Sequence, residues 1–138
     1  MRAAALTLLA ALGAGCAHKP VLNEVVAKTG RHLEYRGLAT HATLCKTCGK
    51  DSPVTITFGE PARFTLLIPS CYAHAESKIG DHDHVSVEDL ASHATATAGE
   101  LDIDDCITTH VTAKLWATFP DGLRVDAVID TALTDPGT

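Results

Sequence analysis

The chain has 138 residues, with 11 basic and 17 acidic side chains and a net charge of −6. The basic residues are scattered and form no stripe, so the balance argues against nucleic acid and anionic lipid as electrostatic partners. Aromatic residues make up only 4% of the chain, which leaves few for a stacked ligand platform once a core is filled.

The first element is MRAAALTLLAALGAGC. Arg2 is followed by an apolar run, Ala3 to Gly15, in which only Thr7 is polar. Crossing a bilayer takes about 20 apolar residues, so the run is too short to span. It fits the hydrophobic region of a secretory signal peptide. The segment Leu12-Gly13-Ala14-Gly15-Cys16 resembles the lipobox of bacterial lipoproteins, with Gly13 where that family most often carries Leu. The resemblance implies cleavage before Cys16, a diacylglycerol on its sulfur and acylation of the new amine. Two or more acyl chains hold a domain stably on a membrane, whereas one does so only marginally. The alternatives are an ordinary signal peptide cut nearby, with Cys16 incidental, and a buried N-terminal helix. Ala17, not Asp, follows the cysteine. By the sorting pattern of enterobacterial lipoproteins, this favours the outer membrane. The expected address is therefore the bacterial cell envelope, facing the periplasm or the cell surface. Cleavage leaves 123 residues with ten basic against seventeen acidic side chains, a net of −7. That is one domain of ordinary size.

The expected organisation is a signal peptide over 1–15, a lipidated tether over 16–31 and a single β domain over 32–138. Within the tether, Pro20 is placed to open a short helix through Leu22, Val25 and Val26 that stops at Gly30. An extended arm is the alternative. Residues 33–44 (LEYRGLATHATL) read as a strand bulged at Gly37, where the alternation loses phase. VTITF and RFTLLI, flanking Gly59 and Pro61, read as a hairpin. Ser86-Val87-Glu88-Asp89 has the pattern of a capping box and predicts one short helical turn. GELDID, 99–104, reads as a strand with Leu101 and Ile103 inward.

The clearest pattern is ITTHVTAKLWATF-PDG-LRVDAVIDTAL, residues 107–133. Both arms alternate with period two. A two-residue Asp121-Gly122 loop would set Phe119 opposite Arg124 and place apolar against polar along the whole pair. A three-residue Pro120-Asp121-Gly122 loop sets Phe119 opposite Leu123 and Leu115 opposite Ala127. A one-residue slip flips every side chain, so the three-residue loop is the predicted one. Short antiparallel strands in this number predict an all-β fold, a β-sandwich, with a small closed barrel as the alternative. The closing segment, from Gly99 to Ala127, resembles the C-terminal hairpins of uncharacterised all-β bacterial lipoproteins. The resemblance implies an antiparallel fold and an envelope address, and it brings no activity.

Beyond Cys16 the cysteines are Cys45, Cys48, Cys71 and Cys106. Cys45-Lys46-Thr47-Cys48 has zinc-knuckle spacing, but a structural zinc site needs a second pair or nearby histidines. A redox site would need the first cysteine at a helix N-terminus. Outside the cytoplasm an even set is usually oxidised. Two disulfides, 45–48 and 71–106, are the preferred pairing among the three possible, with metal binding and redox chemistry as the alternatives. Asp81-His82-Asp83-His84, flanked by His74 and His93, is the one local cluster with ligand chemistry; its other reading is a solvated loop. There is no Gly-x-Ser-x-Gly elbow, phosphate loop or HExxH motif, so no catalytic residue and no cofactor is assigned. The expected function is a non-enzymatic, lipid-anchored structural or interaction module, joined to the membrane through Cys16 and open to an unknown protein partner. The alternative is a zinc- or copper-binding envelope lipoprotein using 74–93 through His74, His82, His84 and His93.

Overall fold

A computed structural model of the chain describes residues 21–45, 52–71, 75–80, 84–107 and 109–134. These form ten strands: β1 Glu24–Thr29, β2 His32–Leu44, β3 Val54–Phe58, β4 Phe64–Ile68, β5 Ala75–Ile79, β6 Ser86–Asp89, β7 Ala94–Thr95, β8 Ala98–Ile107, β9 His110–Thr118 and β10 Leu123–Ala132. All pair antiparallel in one sheet of order β5-β8-β9-β10-β1-β2-β3-β4-β6-β7. The sheet curls into a half-barrel. The all-β antiparallel class is as predicted, in a form lying between the sandwich and the closed barrel.

Two stretches of chain produce the curl. β2 pairs with β1 through residues 32–38 and with β3 through residues 39–44, so one strand serves both halves of the sheet. β7 pairs with β6, and the chain runs on within two residues into β8, which pairs with β9. At that junction the Ala96 amide donates to the Val87 carbonyl (2.9 Å) and the Thr97 amide to the Thr118 carbonyl (2.9 Å). The extra residues that bend β2 are Glu34 and Thr40, where the register shifts on either side. The bulge predicted at Gly37 is not there. Gly37 instead accommodates the Tyr35 ring, whose nearest atoms a Cβ at position 37 would meet at 2.5–2.8 Å.

The inner face is one apolar core. Alternate residues of β1, β3, β4, β8, β9 and β10 enter it, among them Val25, Ile56, Phe64, Leu66, Leu101, Leu115 and Ile129, and β2 adds Ala42 and Leu44 at its end. Burying each such side chain stabilises the fold by about 1.5–3 kcal/mol. The predicted helix near the N-terminus is a strand. Val25 is buried in the core and Val26 lies on the opposite face, which is period two. β1 sits between β10 and β2, so the boundary drawn at 31/32 falls inside the β domain. The helical turn predicted at 86–89 is also a strand: Val87 faces the core opposite Leu66 on β4.

Both predicted hairpins form, and the 107–133 hairpin has its predicted register. Val54 pairs with Ile68 and Phe58 with Phe64. Leu115 pairs with Ala127, and the Phe119 amide donates to the Leu123 carbonyl (2.8 Å) across Pro120-Asp121-Gly122. Gly122 has φ +92° with open space around it. Gly122→Val is therefore expected to lower stability through backbone strain alone, by about 1–3 kcal/mol. An unchanged urea midpoint would refute this account of the turn.

Candidate functional site

Because Leu115 and Ala117 face inward, Lys114, Trp116 and Thr118 face outward from β9. The register then lays out a grid on the outer face. Trp116 lies opposite Glu100 on β8 and Asp126 on β10. The row continues through Val26 on β1 to Arg36 on β2. The neighbouring row carries Asp102, Lys114 and Val128. The chain enters beside it: Leu22 bridges to Val128, and the Asn23 amide donates to the Val128 carbonyl (2.7 Å). The curved sheet forms here an open groove of about 820 Å³, lined by these residues together with Val21, Glu24 and Lys28.

The aromatic residue of its lining is Trp116. The Arg124 guanidinium stands 4.8 Å from the ring centroid and makes a forked pair with Asp126, Nε to Oδ2 at 3.1 Å and Nη2 to Oδ1 at 3.0 Å. The hydrogen bonds to Asp126 hold Arg124 above the usual arginine value against a smaller opposing effect of burial, so the cation over the ring is permanent. Arg36 pairs with Glu24 at 3.5 Å. The four acids Glu24, Glu100, Asp102 and Asp126 are matched by four bases, Lys28, Arg36, Lys114 and Arg124. Val21, Leu22 and Leu38 rim the face with relative exposures of 55%, 55% and 56%. Glu24, which borders the groove, lies opposite Leu38. Such a face offers an aromatic and aliphatic surface edged by balanced charge, suited to contact rather than bond-making chemistry.

A smaller recess of about 360 Å³ lies where Thr29, Asp121 and Leu123 approach the end of β6. There Arg63 is bidentate on Asp89, with Nε to Oδ1 at 2.7 Å and Nη2 to Oδ2 at 3.2 Å. The Asp89 side chain is 3% exposed. The Arg63 guanidinium also lies 5.3 Å from the Tyr35 ring centroid and 5.1 Å from that of Phe64. Burial pushes the Asp89 carboxyl up. Hydrogen bonds from the Arg63 guanidinium and the Ala91 amide, with the attraction of the Arg63 charge, outweigh burial and hold the carboxyl below its usual value. This pair is architectural, since the Asp89 oxygens are spent on Arg63 and on the chain turn that follows at Ala91. His110, on the outer face, contacts Asp130 through Nε2; the Asn23 side chain holds the Asp130 backbone at both its amide and its carbonyl (2.8 Å each).

Of the residues singled out in the sequence, Cys71 and Cys106 form a disulfide with a Cα–Cα distance of 5.4 Å. Cys45 is also disulfide-bonded; Cys48 lies outside the described residues, as do Cys16, His74 and His82. His84 is exposed with φ +59°. His93 is exposed, with Nδ1 at 3.9 Å from Glu88. Among the described residues no three His, Cys, Asp or Glu side chains come together as a metal site. Sequence reasoning missed the groove and the Arg63–Asp89 pair. Its only hint of the groove was a large aromatic at an outward position of a regular strand.

No known protein family, curated protein or solved structure matches the chain.

Proposed function

We propose that this chain is a lipid-anchored protein of the bacterial cell envelope, held on the outer membrane through Cys16 and acting as a non-enzymatic structural or interaction module. The observation that carries the anchor is the apolar run ending in Leu-Gly-Ala-Gly-Cys. The Cys71–Cys106 disulfide supports an oxidising compartment. The groove around Trp116 supports the interaction role, because it joins an aromatic, an aliphatic rim and paired charges on one accessible face.

The test is Cys16→Ser. The wild-type chain is expected to gain the mass of diacylglycerol and fatty acid and to enter the detergent phase on partitioning. The variant is expected to lose the added mass and to remain in the aqueous phase. A variant that partitions as the wild type does would overturn the anchor.

A further inference from the structure

We infer that the outer face of strands β8, β9, β10, β1 and β2 lies against the lipid headgroups of the bilayer that anchors the chain, with Trp116 at the interface. This rests on the anchoring reading above.

The argument begins with reach. Five residue steps separate Cys16 from Val21, and a fully extended chain spans at most about 3.5 Å per residue, or about 17 Å here. Val21 lines the groove and Leu22 bridges to β10 beside it. The membrane attachment point therefore cannot lie far from this face. The other half of the sheet, β3, β4, β6 and β7, follows beyond β2 in the strand order.

The chemistry of the face agrees with that placement. Val21, Leu22 and Leu38 are large apolar side chains more than half exposed, and Leu38 lies across from Glu24 at the edge of the groove. A tryptophan flanked by an arginine is an arrangement that favours the membrane interface: the indole sits at headgroup level and the guanidinium reaches water or phosphate. Charge makes the case sharper. The molecule carries a net negative charge and would be repelled by an anionic surface, yet acids and bases cancel around the groove. The groove beside the anchor thus carries no excess charge for a bilayer to repel. Zwitterionic headgroups, which carry both signs, match it best.

Trp116 is the sole tryptophan, so it reports this contact directly. The probe is the full-length lipidated protein on phosphatidylcholine–phosphatidylethanolamine vesicles, with and without a headgroup spin-labelled lipid. Bound protein is expected to lose about half of its tryptophan emission to the label, and acrylamide quenching is expected to fall about threefold relative to Cys16→Ser in solution. Leu38→Asp, at a position outside the core, is expected to reduce quenching by the label about twofold while co-sedimentation is unchanged, since acyl chains alone hold the protein. Three results would overturn the inference: bound protein whose Trp116 is as open to acrylamide as in solution, a Leu38→Asp protein quenched like wild type, or protection that occurs on native envelope membranes and not on lipid vesicles. The last would assign the face to a protein. Failure to sediment with vesicles at all would instead refute the anchor, and the inference with it.

Discussion

Replacing Cys71 and Cys106 together with alanine is expected to destabilise the fold by about 4 kcal/mol, from the entropy regained by an unfolded chain whose 36-residue loop is no longer closed. That is a large share of the about 5–15 kcal/mol that holds an ordinary domain folded. The bond spans the curl of the sheet. Cys71 follows β4 in one half, and Cys106 lies on β8 in the other. The closed loop contains β5, β6 and β7, the short strands with the least pairing of their own. Cys106 is buried among core residues, and alanine avoids placing a hydroxyl there. Urea unfolding of the oxidised protein and the double variant gives the difference directly. Reduction of the wild type by dithiothreitol should reproduce most of it. A shift of less than about 1 kcal/mol would show that the bond does not constrain the unfolded chain as loop-closure entropy requires.

Both hairpins were legible because each is set by local rules. Alternation fixes which residues share a face, and Pro-Asp-Gly fixes the loop that keeps those faces in phase. The errors fell where two local patterns overlap. Val25-Val26 fits a helix start as well as a strand, and pairing with β10, a strand about 100 residues away in the chain, decides for the strand. Ser86-Val87-Glu88-Asp89 satisfies both a capping box and a two-residue alternation. Val87 against Leu66 and Asp89 against Arg63 decide it, and neither partner is near in sequence. Gly37 was read as a bulge because a glycine interrupts the pattern, when its role is to leave room for Tyr35. Trp116 could be placed on the outer face from its neighbours alone. The groove around it could not, because it depends on β1 lying beside β10 and on the curvature imposed by Glu34 and Thr40 in β2.

Arg63→Ala is expected to cost about 3–5 kcal/mol, because it leaves the Asp89 carboxylate buried with no cation to offset its desolvation. The loss includes the guanidinium's contacts with the Tyr35 and Phe64 rings. Arg63→Lys keeps a charge but not the planar fork or the stacking, so it is expected to lose about 1–2 kcal/mol. Acid titration separates this from a simple packing loss. The Asp89 carboxyl is held below its usual value in the folded protein. Its contribution is therefore fully present above the unfolded carboxylate value of about 3.9 and disappears as pH falls through the lower folded value. In Arg63→Ala the guanidinium's hydrogen bonds and charge are gone, those with the Ala91 amide and the Ser92 side chain remain, and burial pushes the carboxyl up relative to the wild type. The variant sheds its penalty by taking up a proton as the solution is acidified, while the wild type loses its ion pair. The gap in unfolding free energy between the two proteins should be widest near neutral pH, begin to narrow as the variant's carboxyl takes up its proton, and narrow further below about pH 4 as the wild type loses its ion pair. Urea titrations at a series of pH values measure that gap. A difference that stays constant down to the acid limit would mean that Arg63 stabilises the fold through its stacking on Tyr35 and Phe64, and that the Asp89 carboxylate is carried by its remaining partners, the Ala91 amide and the Ser92 side chain.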